Sequence, residues 1–425
     1  MSTEFKHLTH PFQKIVTNKS GDLLLSLVKD TFQVYSLKGE FKKIFEYKDS
    51  LPIVVEEEIT KTDSDGKTQK KKKSKVTNYQ PNKHQLENYE FLRSISLSRD
   101  EKQVYIISDF EKSVLIFNVT YEPEYKFELL KKQLFPKRPN CLTSFNEDLY
   151  IGDKFGDVYH IKNNDSVVVK PDQMKPILGH VGLLTNVEHL EDDDGKKYLL
   201  SVDRDEHLKI SHLPQSYILN KFIFGHKEFI SAVLIHGDYL LSAGGDDFVM
   251  VSNWKTGEVL DKFNFIDLIK DEDIIEKIHH ALPRFQKEGQ DTIKEFCVSQ
   301  LYYSSSDNKI IIIIEGISKL FVCSFDKGKL VLEKTCAVND VILSVAKGPE
   351  EGSLIYNTNN QGKSGNLVGY LKSGYEFDEN YTKAINSSFQ LQNNDFKNFV
   401  VINEEFDMCP IYYNHNLRKH ADVFP

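Results

Sequence analysis

Short apolar runs of four to six residues recur along the chain, and a polar turn usually separates each run from a second one. Leu23–Val28 and Phe32–Leu37 flank a Lys29-Asp30 turn. Val104–Ile107 and Val114–Val119 flank an acidic turn at Asp109 and Glu111, and Leu149–Ile151 and Val158–Ile161 flank Asp153–Asp157. Lys309–Ile314 and Lys319–Ser324 flank Glu315-Gly316, and Val341–Ala346, Leu354–Asn357 and Asn366–Leu371 form a further group. Runs of this length bounded by turn residues predict strands in hairpins.

Two segments repeat more closely. Gly179-His180 opens one that runs through Ser201 to Asp205, and Gly225-His226 opens another that runs through Ser242 to Asp246; the two histidines are 46 residues apart. A Gly-His to Asp unit of about 40–45 residues is one four-stranded blade of a WD repeat. Together with the five weaker groups, the two repeats predict an all-β, seven-bladed WD-repeat β-propeller over 1–425. The expected blade staples are His180–Ser201–Asp205 and His226–Ser242–Asp246, because a buried carboxylate requires hydrogen-bonded partners. Ser211 and Ser252 stand where a Trp usually completes the set.

Two insertions break the rhythm. Residues 56–85 contain Lys70, Lys71, Lys72 and Lys73 and almost no apolar side chains, which predicts a flexible lysine-rich loop. Over 266–286, Ile274, Ile278 and Leu282 fall on one helical face that Pro283 ends, which predicts a short helix between blades.

Composition narrows the chemistry. The 28 Phe and 20 Tyr suit strands, and the net charge of -9 gives no general attraction for nucleic acid. Residues 61–83 hold eight Lys against two Asp, so any nucleic-acid contact is expected to be local or supplied by a partner. No apolar stretch is long enough for a transmembrane helix, and Met1–Lys6 lacks a signal-peptide core, which predicts a cytosolic or nuclear protein. The five cysteines lack Cys-x-x-Cys spacing and are expected to be buried or free thiols. His279-His280 is the only adjacent histidine pair and is a poor metal site. Ala243–Asp247 joins two strands, so it is a turn and not a phosphate cradle. No nucleophile, metal or P-loop motif is present.

Several motifs together carry a resemblance: Lys137-Arg138-Pro139-Asn140, Asp153–Tyr159, Pro176–Val181, Ser201–Ser211, Phe224–Lys227, Ser242–Asp247 and Leu417-Arg418-Lys419-His420. In this order they resemble the fungal non-catalytic WD-repeat subunit of tRNA (guanine-N7)-methyltransferase, most densely over 137–257. The resemblance implies a scaffold that binds and activates a separate catalytic subunit as a heterodimer. That subunit carries S-adenosylmethionine, so no cofactor is expected here; tRNA is reached through the complex, with the nucleus, and secondarily the cytoplasm, as the expected location. It also implies that Lys209 pairs with an acidic residue of the enzyme. Arg204, Glu206, His207, Lys154 and Lys227 are further partner-contact candidates. Lys137, Arg138 and Lys70–Lys73 are candidates for contact with tRNA or the partner. A general adaptor, such as a ubiquitin-ligase substrate receptor, is the competing reading, and a propeller hydrolase is a third.

Overall fold

The computed structural model describes residues 10–49, 54–62, 68–76, 91–122, 124–281, 293–360, 365–392 and 414–418. Seven four-stranded antiparallel sheets form seven blades, spanning 14–48, 92–134, 139–179, 184–223, 230–264, 298–337 and 342–377. The first strands of successive blades contact one another and line the central channel. The fold expected from the hairpin rhythm is therefore the fold observed, and each predicted pair forms the middle of a blade.

The apolar runs are explained by burial on both faces of a sheet. Successive side chains of a strand point to opposite faces. In Lys309–Ile314, Ile310, Ile312 and Ile314 enter the core shared with blade 5, whereas Ile311 and Ile313 enter the core shared with blade 7. Leu23, Leu25 and Leu27 likewise face blade 2 while Leu24 and Val28 face blade 7. Each of the seven blade–blade interfaces has such a cluster.

Among the described residues, no strand is shared between the first and last blades. Lys14–Thr17 pairs within its own blade, and Pro410–Tyr413 lies outside the described residues. The seam is closed by Ile15 N–H donating to Ser344 Oγ (3.2 Å), Thr17 Oγ1 donating to the Lys347 carbonyl (2.9 Å), and Asn357 Nδ2 donating to the Phe12 carbonyl. Helix Glu379–Gln392 covers the seam, with Phe389 packed against Tyr35 at 4.2 Å between ring centroids.

Both insertions differ from expectation. Val54–Thr62 pairs with Thr68–Val76 as a hairpin in place of a loop. Its register sets Glu57 opposite Lys73, Glu58 opposite Lys72, Ile59 opposite Lys71 and Thr60 opposite Lys70. Residues 63–67 and 77–85 lie outside the described residues.

Over 266–281 the chain forms three separate helical turns, Ile266–Leu268, Asp271–Asp273 and Glu276–His279, and not one helix. The backbone is extended at Ile269, Ile274 and Ile275, which lets Ile266, Leu268, Ile269 and Ile274 pack on the core between blades 5 and 6. Burial of β-branched side chains outweighs helical continuity here. Leu282 and Pro283 lie outside the described residues. His279 is buried, with Nδ1 accepting from Ile275 N–H and Nε2 donating to the Glu315 carbonyl, so both ring nitrogens are used internally. Cys141, Cys297, Cys323 and Cys336 are buried free thiols, and Cys409 lies outside the described residues.

Candidate functional site

The two Gly-His histidines are held as staples. His226 lies with Nδ1 2.8 Å from Asp246 Oδ2 and Nε2 2.8 Å from Ser242 Oγ, the expected triad. His180 lies with Nε2 2.7 Å from Ser201 Oγ, but its Nδ1 is 2.8 Å from Asp203 Oδ2 and not from Asp205. Asp203 thus replaces the expected Asp205. The reason is local: Asp203 ends its strand, and its Oδ1 accepts the N–H groups of Asp205 (2.8 Å) and His207 (3.0 Å), folding the turn around itself. Asp205 is carried outward to lie beside Gly182. Burial opposes ionisation of Asp203, but hydrogen bonds from His180 and the His207 N–H outweigh it and hold the carboxyl below its ordinary value.

Blade 3 repeats this turn without the histidine. Asp153 Oδ1 accepts the N–H groups of Phe155 (2.7 Å) and Asp157 (3.0 Å). Here burial prevails and raises the carboxyl. Gly156 has φ +97, and a Cβ there would lie 2.3 Å from the His180 carbonyl oxygen, so only glycine lets this turn abut the Gly-His loop. Blades 3 and 4 therefore present one continuous strip on the face that carries the Gly-His loops.

Lys209 lies on that strip. It stands on Leu208–His212, opposite Ser201 and Phe222, and its Nζ donates to the Gly179 carbonyl (3.2 Å). The equivalent positions in blades 3 and 5 are Tyr159 and Met250, 4% and 0% exposed. A lysine thus occupies a position that its neighbours fill with core residues, and partial burial lowers its pKa. His207 is exposed, with Nδ1 3.1 Å from Asp203 Oδ2. Glu206 closes the turn at φ +62. Lys227 is exposed beside His226, its N–H donating to Asp246 Oδ1 (3.1 Å).

Arg204 has another duty. Its Nε donates to the Leu417 carbonyl (2.6 Å) and its Nη2 to the Arg418 carbonyl (2.8 Å). Leu417 is buried with Phe229, Cys297 and Leu183, and Arg418 reaches Glu295 at 3.3 Å. Asn414 N–H donates to Glu315 Oε2 (3.1 Å). The segment 414–418 therefore lies across blades 4, 5 and 6 at the channel mouth, and Arg204 clamps it. Lys419 and His420 lie outside the described residues.

Several apolar residues on the strip were missed in the sequence. Val181 is 99% exposed, Phe224 71% and Phe155 58%, and Phe222 stacks near Phe224 at 5.7 Å between centroids. The signal was present in Phe222-Ile223-Phe224: alternation on a fourth strand sends Ile223 inward and both phenylalanines out. Lys137 is exposed with Nζ 4.6 Å from the Phe155 ring centroid, and Arg138 Nε is 3.6 Å from Asp109 Oδ1. Among the described residues, no group of three or more His, Cys, Asp or Glu side chains could hold a metal ion.

Solved structures share the fold at low identity. A structure of U3-55K aligns with a TM-score of 0.55 and 12% identity, covering 84% of this chain and 90% of that one. A chain of a mitotic checkpoint complex aligns at 0.53 and 14% identity, covering 85% of this chain and 92% of that one. Relatives by sequence are far nearer. A Kluyveromyces lactis protein named tRNA (guanine-N(7)-)-methyltransferase non-catalytic subunit TRM82 is 35% identical over 98% of this chain and 100% of its own length. The Saccharomyces cerevisiae protein of that name is 29% identical over 98% of this chain and 99% of its own. Residues 46–175 and 162–371 match the family described as the tRNA methyltransferase TRM82 WD40 domain, and with the near-complete alignment to its fungal relatives this places the chain in the TRM82 family.

Proposed function

We propose that this chain is the non-catalytic scaffold of a tRNA (guanine-N7)-methyltransferase. In this reading it binds the catalytic subunit as a heterodimer and activates it for N7-methylguanosine formation in the tRNA variable loop. S-adenosylmethionine is bound by that partner, tRNA is engaged by the complex, and the complex works in the nucleus. Family membership supports the assignment, since its curated fungal members are named as non-catalytic subunits.

The observation that carries the contact is Lys209. It is a cation at a core position, emerging beside Val181, Phe222 and Phe224. Interfaces commonly combine exposed aromatic anchors with a charge that becomes desolvated on binding. Such a lysine selects a partner carboxylate, with His207 and Lys227 on the same strip as its flanking contacts. Glu206 contributes through the shape of the turn, and Arg204 by fixing the segment behind it.

Lys209→Glu tests this directly. The variant is expected to keep the Tm of the wild type and to lose co-purification with the catalytic subunit. Placing like charges at a buried pair weakens binding by at least about 30-fold. A folded Lys209→Glu protein that captured the subunit normally would sink the assignment.

A further inference from the structure

The central channel encloses a cavity of about 350 Å³ with a mostly polar lining, and the segment 414–418 supplies one end of it through Asn414 and Leu417. Each blade sets one first-strand residue at the level opposite the penultimate residue of its second strand. In blades 1, 2 and 4 these are Lys14 opposite Leu27, Ser94 opposite Ile107 and Asn186 opposite Val202, and all three line the cavity. Gln300 and Ser344 stand at the same level in blades 6 and 7 and are satisfied by protein. Gln300 Nε2 donates to the Val345 carbonyl (3.0 Å) while its Oε1 accepts the Val345 N–H (2.8 Å), and Ser344 Oγ donates to Asn357 Oδ1 (2.6 Å). Among the described residues, the side chains of Lys14, Ser94 and Asn186 make no hydrogen bond or ion pair.

Lys14 is the anomaly. A lysine enclosed by protein is ordinarily paired with an anion, because its charge has lost hydration. Burial lowers the Lys14 pKa, and no neighbouring charge offsets it. Two carboxylates line the same cavity and neither serves it. Glu315 Oε2 accepts the Asn414 N–H (3.1 Å). Glu188 Oε2 accepts from Thr143 Oγ1 (3.1 Å), and burial raises its carboxyl to about 7. Arg93, also in the lining, is paired with Asp109. Gln13, next to Lys14, has the opposite need: its Nε2 donates to the Leu92 carbonyl (2.8 Å), whereas its Oε1 is buried and, among the described residues, accepts nothing.

The free groups define the chemistry of an occupant. Lys14, Ser94 and Asn186 offer donors around one positive charge, and Gln13 Oε1 offers an acceptor. A hydrogen phosphate answers both, with charge and acceptor oxygens for the donors and an O–H for Gln13. Chloride and sulfate bring charge without an O–H, and an apolar or cationic occupant leaves Lys14 unpaired.

We infer that the central channel binds one phosphate ion, with Lys14 as its counter-cation, Ser94 and Asn186 as donors, and Gln13 Oε1 accepting its O–H. The site lies inside the ring, and none of these four residues belongs to the strip around Lys209. Lys14 precedes Ile15, whose N–H donates to Ser344 across the seam, so an anion that binds only when blades 1, 2 and 4 surround it favours the closed ring.

The test uses the purified full chain, freed of phosphate and titrated with inorganic phosphate by calorimetry, with Tm measured in parallel against sodium chloride of equal ionic strength. One phosphate per chain is expected, and 10 mM phosphate should raise Tm by about 2 °C over the chloride control. Lys14→Met keeps the stem and removes the charge. It should bind phosphate at least about tenfold more weakly, lose the Tm response, and be no less stable than wild type in phosphate-free buffer, since an unpaired cation is gone. Ser94→Ala/Asn186→Ala removes only neutral donors and should weaken binding about fivefold, which keeps the site testable if Lys14→Met does not fold. Sulfate should bind at least about threefold more weakly than phosphate, for want of the O–H that Gln13 accepts. Absence of stoichiometric phosphate binding, or the same affinity in folded variants as in wild type, overturns the inference. Chloride reproducing the Tm rise, or sulfate binding as tightly as phosphate, overturns it as well.

Discussion

The turns 153–157 and 203–207 are one structure used in two ways. In both, an aspartate ending the second strand accepts N–H groups two and four residues ahead, and the fourth position is left-handed. In blade 3 that position is Gly156, and the turn is pressed against the next Gly-His loop. In blade 4 it is Glu206, and the aspartate carries a histidine. Six residues beyond the aspartate, blade 3 has the buried Tyr159 and blade 4 has Lys209. The backbone frame is therefore shared by the two blades while its outer residues differ: the blade 3 turn is locked against the next loop at Gly156, and blade 4 carries a lysine where blade 3 buries a tyrosine.

The largest effect that separates them is expected at the staple. Asp203→Ala removes the acceptor of a buried imidazole and should cost about 3 kcal/mol in denaturant unfolding, whereas Asp205→Ala should cost less than about 1 kcal/mol. Equal losses would break the distinction between them. Next comes a reciprocal exchange at the left-handed position. Gly156→Glu should cost more than about 2 kcal/mol, from the backbone strain and the contact with the His180 carbonyl. Glu206→Gly should stay within about 1 kcal/mol of wild type, with relief of strain set against the entropy of glycine. A similar penalty for both would mean that the turns are not equivalent.

The smallest effect is in pH dependence, and it has opposite signs in the two turns. The folded pKa of Asp203 is depressed, so its stabilisation is present above the unfolded value of about 3.9 and is lost as pH falls through the folded value. The folded pKa of Asp153 is raised, so its ionisation costs stability above that folded value, and the cost is relieved as pH falls. Between pH 7 and 3, the Tm advantage of wild type over Asp203→Asn should shrink, while its advantage over Asp153→Asn should grow. Parallel trends would refute the contrast.

The blades were legible because each middle strand is buried on both faces and reads as an uninterrupted apolar run, as in Ile310–Ile314. What composition obscured depends on partners distant in sequence. The lysine run pairs with a strand of glutamates, and the isoleucines of 266–278 pack on blades 5 and 6 as separate turns. Within the site, Lys209 and the histidine staples were readable from the repeat. The carboxylate was misplaced because counting from Ser201 and Ser242 aligns Asp205 with Asp246, whereas the turn geometry brings Asp203 to the histidine. The clamp made by Arg204 had no local signal, since its acceptors are the carbonyls of Leu417 and Arg418, 213 and 214 residues away.

The seam between blades 1 and 7 has a consequence for how the molecule is made. Every sheet is built from consecutive strands, so each blade completes its backbone hydrogen bonds among residues close in sequence. Closure of the ring requires distant ones: Ile15 and Ser344 are separated by 329 residues. Local pairing proceeds quickly, whereas bringing remote segments together waits on loop-closure entropy. The blades therefore assemble in order as the chain leaves the ribosome, and blade 1 keeps one exposed apolar flank, with Leu24, Val28 and Tyr35, until blade 7 and helix Glu379–Gln392 arrive to cover it. In the interval before closure, that flank is the surface most open to chaperones and to aggregation.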